Sequence, residues 1–198
     1  MRQVLVIHGG DAFATQEEYI ASLQDQEVAL SDGRKRGWKP RLIETLGSDY
    51  SITLPRLPNS NNAKYEEWRL VFEKYLPLLE DGVILVGHSF GGSFLAKYLS
   101  ENVFPRKITA TFLVAAPYDM DGNRKVVEFV LPDSLEFLRQ QGGQIFLYHS
   151  TDDPVVDFGE LGKYETALPD STVQTFEDRG HFTGEEFPEI VQDIMKLK

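Results

Sequence analysis

Three residues far apart in the chain have the types needed to activate a hydroxyl for attack. The first is Ser89, inside Gly87-His88-Ser89-Phe90-Gly91-Gly92. An apolar run at 83–86 precedes it and a helical pattern follows. Gly-x-Ser-x-Gly therefore stands at a strand–turn–helix junction, the setting of a nucleophile elbow. Such a turn is tight, and a Cβ at either glycine would collide with neighbouring chain. Ser89 would stand exposed at the sheet edge, with the N–H groups of a helix start facing any developing oxyanion. With 16 glycines in 198 residues the bare pattern arises by chance about 0.07 times. The flanking strand and helix are what separate it from a Gly/Ser-rich structural turn.

The second is Asp153, in Ser150-Thr151-Asp152-Asp153-Pro154 after the apolar run 144–148. The proline biases Asp153 to an extended backbone, although Asp-Asp-Pro alone is ordinary turn chemistry. The third is His181, in Glu177-Asp178-Arg179-Gly180-His181-Phe182 after the run 173–176. A single loop histidine is commonly a bystander. Together the three follow the chain order Ser, Asp, His of α/β-hydrolases, each at the exit of an expected strand. Ser89 is a weak nucleophile at its free pKa, so His181 would take its proton. Asp153 would hold the imidazole tautomer and stabilise the imidazolium. A fourth exit, His8-Gly9-Gly10-Asp11, can turn a backbone N–H toward the same point. The oxyanion hole would then combine the Gly10 and Phe90 amides. Asp152, Asp119 and Asp178 are rival acids; Asp178 is so near His181 in sequence that it fits loop shaping better. His8, His88 and His149 read as packed or hydrogen-bonded structural groups. No metal-ligand spacing, P-loop or dinucleotide-binding glycine pattern is present, and no cofactor is implied.

These groups need elements to position them. Short apolar runs at 3–8, 51–54, 83–87, 109–115, 144–148 and 173–176 read as buried strands. Helical spacing appears at 63–79, where Pro77 should kink or end the helix, and at 91–101, 37–46 and 134–141. A weaker pattern lies at 16–24, and a stripe of Phe187, Ile190, Val191, Ile194 and Met195 marks the last helix. Thr183-Gly-Glu-Glu186 ahead of that helix has capping-box spacing. Strands alternating with helices predict βαβ units in a mainly parallel α/β sheet, whose sites form outside the strand carboxyl ends. The length predicts one domain over residues 1–198.

Composition narrows the partners. The 31 acidic against 20 basic residues give a net charge of −11, which repels nucleic acid and anionic lipid. With no cysteine, thiolate nucleophiles and Cys-ligated metals are excluded, and a reducing, cytoplasmic setting fits. No apolar run approaches the roughly 20 residues of a membrane span, and the start of the chain lacks a signal-peptide pattern.

On Gly87-His88-Ser89-Phe90-Gly91, Ser150-Thr151-Asp152-Asp153-Pro154 and Gly180-His181-Phe182, the chain resembles the α/β-hydrolase superfamily. Within it, the chain is most similar to the small serine hydrolases related to retinoblastoma-binding protein nine and their bacterial relatives. Looser matches are Leu57-Pro58-Asn59, Trp68 and Phe112-Leu113-Val114-Ala115-Ala116. The resemblance implies a three-layer α/β/α sandwich with about six or seven strands and little or no lid. It implies that the acid directly before proline completes the triad, which favours Asp153 over Asp152. It also implies hydrolysis of small carboxylic esters or related acyl compounds, amides and thioesters included. Tyr118, Phe158 and Phe182 are candidate pocket walls, with Phe13 and Phe90 beside them.

The polar stretch 11–36 departs from the family pattern and would suit an extra helix over the site mouth. Its basic run Arg34-Lys35-Arg36 is the one feature favouring a non-enzymatic interaction module on this fold. The complete Ser–Asp–His set speaks against that reading, and Ser89 speaks against dehalogenase-type chemistry, which places Asp there. The stretch 117–143 is too short for a cap domain, so the site should be shallow and open to small substrates. Lipase-like activation at an emulsion of long-chain triglycerides is accordingly not expected, and a jump in rate on emulsification would overturn this.

Overall fold

A computed structural model of the chain describes residues 1–28, 30, 37–120 and 127–197, so Arg34-Lys35-Arg36 lies outside the described residues. The six strands are β1 (Arg2–Ile7), β2 (Tyr50–Thr53), β3 (Val83–His88), β4 (Ile108–Val114), β5 (Gln144–Ser150) and β6 (Thr172–Phe176). They form one sheet in the order β2-β1-β3-β4-β5-β6, and every pairing is parallel. The central strands are runs of Val, Ile, Leu and Phe because both of their faces are covered. The two-residue period sorts them. Val4, Val6, Ile84, Val86, Phe112 and Val114 meet α2 (Trp38–Leu46) and α7 (Pro188–Lys196) on one face. Leu5, Ile7, Leu85, Leu113 and Leu147 turn to the other. There they meet α3 (Tyr65–Glu73), α4 (Phe90–Glu101), α5 (Glu136–Gln141) and α6 (Gly159–Ala167).

The result is the expected three-layer α/β/α arrangement, with six strands. On the second face Trp68, Phe72 and Phe94 pack edge to face, with ring centroids 5.8 Å and 5.1 Å apart. On the first, the paired residues Phe112 and Phe146 stack at 4.4 Å. The element α1 (Gln16–Gln24) buries no residue at all.

Three helices differ from the pattern. The span expected at 63–79 is α-helical only from Tyr65 to Glu73, then tightens into a 3-10 turn at Leu76–Leu78. Lys74 and Tyr75 already bond three residues back, because Pro77 offers no N–H and would clash with the carbonyl four residues earlier. The last helix does not start at Thr183–Glu186: Phe187 is its N-cap with no side-chain cap, and Pro188 takes the first helical position. Proline favours that position and holds the residue before it out of the helix, so the capping-box spacing goes unused. The helix α6 carries no clear apolar stripe in sequence and was not expected.

From β1 the chain moves outward to β2, then returns to the opposite side of β1 as β3. The winding reverses between β1 and β3, and the crevice beyond their carboxyl ends is where this topology places ligands. Phe72 is fully buried at the centre of the aromatic cluster. Its replacement by alanine should lower unfolding free energy by about 3–5 kcal/mol. Urea denaturation should show this as a lower midpoint at unchanged slope.

Candidate active site

The turn from β3 into α4 is shaped by what cannot fit. A Cβ on Gly87 would lie 2.5 Å from the Gly91 carbonyl oxygen, and one on Gly91 would lie 2.4 Å from that of Ile7. A Cβ on Gly92 would press on the Ala116 methyl at 2.5 Å. These contacts leave Ser89 at φ 55°, ψ −130°, a strained backbone for a residue with a side chain. Two hydrogen bonds hold it there, from Ser89 N–H to Val114 O and from Gly92 N–H to Ser89 O, both 2.8 Å. The strained residue is the serine that the sequence singles out, at the first turn of α4. Its hydroxyl makes no hydrogen bond among the described residues.

An ion pair joins the exits of β5 and β6. His181 Nδ1 lies 2.8 Å from Asp153 Oδ2. Because an ionised carboxylate only accepts, Nδ1 carries the hydrogen, and Nε2 keeps a lone pair for a proton. The Asp153 side chain is fully buried. Its other oxygen accepts from Val155 N–H at 2.8 Å and Val156 N–H at 3.0 Å. Burial pushes its pKa up, but the bonds from His181, Val156 and Val155 outweigh that and hold the carboxyl below its ordinary value of 3.8.

The rival acids are engaged elsewhere. Asp152 Oδ1 ties the two loops together by accepting from Ser150 Oγ at 2.5 Å and Gly180 N–H at 2.8 Å. Asp119 pairs with Lys163, and Asp178 is exposed beside Arg179. His149 is buried, donates to Val156 O at 3.1 Å and lies 3.6 Å from Asp153. Burial lowers its pKa, which keeps it neutral against the carboxylate. His8 donates from Nδ1 to Gly9 O at 2.7 Å and accepts at Nε2 from Leu57 N–H at 3.0 Å.

A cavity of about 550 Å³ opens over Ser89. Gly10 and Phe90 line it together with Ser89. Neither of their backbone N–H groups donates a hydrogen bond among the described residues. Gly9 faces the serine from below: a Cβ there would lie 2.9 Å from Ser89 Cβ. One wall comes from the polar stretch that the sequence left unplaced, through Phe13, Ser22, Leu23 and Gln26. Ala12, Pro117, Met120, Val155 and Val156 form the rest of the apolar lining.

Tyr118, Phe158 and Phe182 are not among the lining residues. Tyr118 packs edge-on against Tyr164, Phe158 against His149, and Phe182 between Phe176 and Phe187 in the α7 layer. Their proximity in sequence to the site loops comes from packing under those loops. Leu23, Met120 and Val155 carried no sequence signal, since each is a single apolar residue in a polar or turn-rich stretch.

The parallel sheet, its switch point and the strained turn after β3 define an α/β-hydrolase fold. Solved structures share it. The ydeN gene product from B. subtilis matches with a TM-score of 0.77 at 19% identity, over 98% of this chain and 97% of that one. The methylesterase MES16 from Arabidopsis matches with a TM-score of 0.60 at 14% identity, over 99% and 98%. In sequence, serine hydrolase RBBP9 from Rattus norvegicus is 26% identical over 165 residues, 81% of this chain and 84% of that one. The model of the serine hydrolase family matches residues 29–190, and the chain belongs to that family. Membership supports a hydrolase. Among the described residues, no helix is long and apolar enough to cross a membrane.

Because the folded Asp153 pKa lies below 3.8, its ionisation stabilises the fold above that value. The stabilisation is lost as pH falls through the folded pKa. Unfolding free energy of the wild type should therefore fall more steeply than that of Asp153→Asn as pH drops below about 4. Equal acid slopes in urea titrations would contradict this.

Proposed function

We propose that the chain acts as a single α/β-hydrolase domain that cleaves small carboxylic esters through an acyl-enzyme on Ser89, His181 and Asp153. The observation that carries this reading is the 2.8 Å bond between buried Asp153 and His181, alongside a strained serine at the N-cap position of α4 that lines the cavity. In this mechanism His181 Nε2 takes the Ser89 hydroxyl proton as Oγ attacks the ester carbonyl. The N–H groups of Phe90 and Gly10 receive the negative oxygen of the tetrahedral intermediate. His181 then returns the proton to the departing alcohol, leaving the acyl group on Oγ. Water, deprotonated by His181, attacks the acyl-enzyme and releases the acid. Asp153 stays ionised throughout, holding Nδ1–H and balancing the imidazolium.

Substrate size follows from the cavity. Its volume of about 550 Å³ lies within the usual range for small-molecule sites. The apolar side chains Phe13, Leu23, Met120, Val155 and Val156 suit a short acyl or alkyl group. Thioesters and activated amides meet the same chemistry and would follow esters in rate according to their leaving groups. Asp11 and Asp25 on the rim disfavour an anionic substrate.

The test is hydrolysis of p-nitrophenyl acetate and butyrate by the wild type and by Ser89→Ala, each first shown to be folded by circular dichroism. Turnover should fall by about 10³-fold or more in the variant. Wild-type turnover by Ser89→Ala would remove the nucleophile assignment. A fluorophosphonate probe should label the wild type and leave Ser89→Ala unlabelled.

A further inference from the structure

The loop between β6 and α7 carries His181, and three of its carbonyls are gripped from one side. His181 O accepts from His88 Nε2 at 2.8 Å, Phe182 O from Trp38 Nε1 at 2.9 Å, and Gly184 O from Trp38 N–H at 3.0 Å. The grip has something to hold. Gly180 and Phe182, on either side of His181, both sit at φ 50°. A phenylalanine keeps that backbone only where its surroundings impose it.

The His88 contact depends on a tautomer. His88 donates from Nε2 only while Nδ1 carries the lone pair. Lys39 Nζ lies 2.9 Å from Nδ1, and a charged ammonium there can only donate. With the hydrogen on Nδ1 instead, the Nε2 lone pair would face the His181 carbonyl oxygen and push the loop away. Lys39 sits in the first turn of α2, over the Trp38 ring at 5.0 Å. Among the described residues it has no carboxylate partner, and burial pushes its pKa down to about 8. Burial, with Lys39 and His181 nearby, also holds His88 well below the usual imidazole range, so His88 stays neutral. A buried amino group that faces a neutral imidazole and, among the described residues, no carboxylate opposes folding at neutral pH, so its role lies elsewhere.

We propose that Lys39 is a positioning residue for the catalytic base: by fixing the tautomer of His88 it fixes the His181 carbonyl, and with it the ring that Asp153 holds from the other side. This rests on His181 serving as the base. His88 is the variable residue of the Gly-x-Ser-x-Gly turn, so the same turn presents the nucleophile and clamps the base.

The test compares wild type, Lys39→Met, His88→Met, the double variant and His181→Ala. Three readouts are used: p-nitrophenyl acetate kinetics, fluorophosphonate labelling, and long-range ¹H–¹⁵N spectra of the histidine rings. Lys39→Met should lower kcat and labelling rate roughly tenfold, with KM within about twofold. Its His88 signal should move from the Nε2–H form toward the Nδ1–H form. It should be no less stable than the wild type at neutral pH, which a purely structural lysine would not allow. The double variant should be no slower than His88→Met alone, because both changes act through one contact. Wild-type kcat in Lys39→Met, an unchanged His88 tautomer, or losses that add in the double variant would each overturn the proposal. Labelling that is equal in the wild type and His181→Ala would instead remove the base assignment, and this proposal with it.

Discussion

The carbonyl oxygens of Ile7 and His8 at the end of β1 lie so close to Gly91 that a Cβ there would be 2.4 Å and 2.6 Å from them. That approach of one backbone to another fixes the geometry around it. It draws the turn after β3 hard against the exit of β1, at the point where the winding of the sheet reverses. The strain falls on Ser89, which keeps a positive φ because the flanking chain has nowhere else to go. It also brings Gly10, Ser89 and Phe90 onto one cavity. Larger residues at the glycines would enforce a wider turn, and the serine and the two amides would no longer share a wall.

The two strands on the far side of the sheet contribute by a different route. One backbone bond, from Thr151 N–H to Phe176 O, joins the exits of β5 and β6; beyond it their loops are held together by hydrogen bonds that side chains make. Asp152 links Ser150 to Gly180, and Asp153 gathers Val155, Val156 and His181. Adjacent acids thus divide two tasks, one tying the loops and one orienting the imidazole. The parallel register makes this possible, because all six strands end on the same edge and their exit loops can meet. A buried carboxylate with three donors also remains ionised without a cation, since hydrogen bonds replace the water it has lost.

The parts that were legible in sequence are those governed by local rules. Strands such as Val83–His88 are continuous apolar runs because both faces are covered, and the glycines of Gly87-His88-Ser89-Phe90-Gly91 mark a turn that admits nothing larger. The segment 11–36 looked too polar and too long for a plain connection, and its described part does supply a helix and one cavity wall. What stayed hidden depends on distant partners. The helix α6 contains Gly159 and Gly162, and its most telling residue is a buried acid. Glu160 accepts from the N–H groups of Tyr118, Asp119 and Met120, some forty positions earlier. Thr183–Glu186 had the spacing of a cap, but Pro188 decides where that helix starts. Of the aromatic residues expected in the pocket, Phe13 and Phe90 line the cavity, whereas Tyr118, Phe158 and Phe182 do not, and Phe182 packs against Phe187. Lys39 gave no signal because its partner, His88, lies forty-nine residues away.

The helix that walls one side of the cavity, α1, has no buried residue and donates none to either core layer. Packing in the layers around the sheet is sensitive to the loss of a single methylene, whereas a side chain on an exposed helix answers to little beyond its own helix propensity. Ser22 and Leu23 are therefore positions where the shape of the cavity can change while the fold is left alone. In a lineage built on this chain, the shape of the cavity can drift at those positions without passing through unstable intermediates. Ser89 cannot drift in the same way, because the turn that holds it is also part of the packed centre.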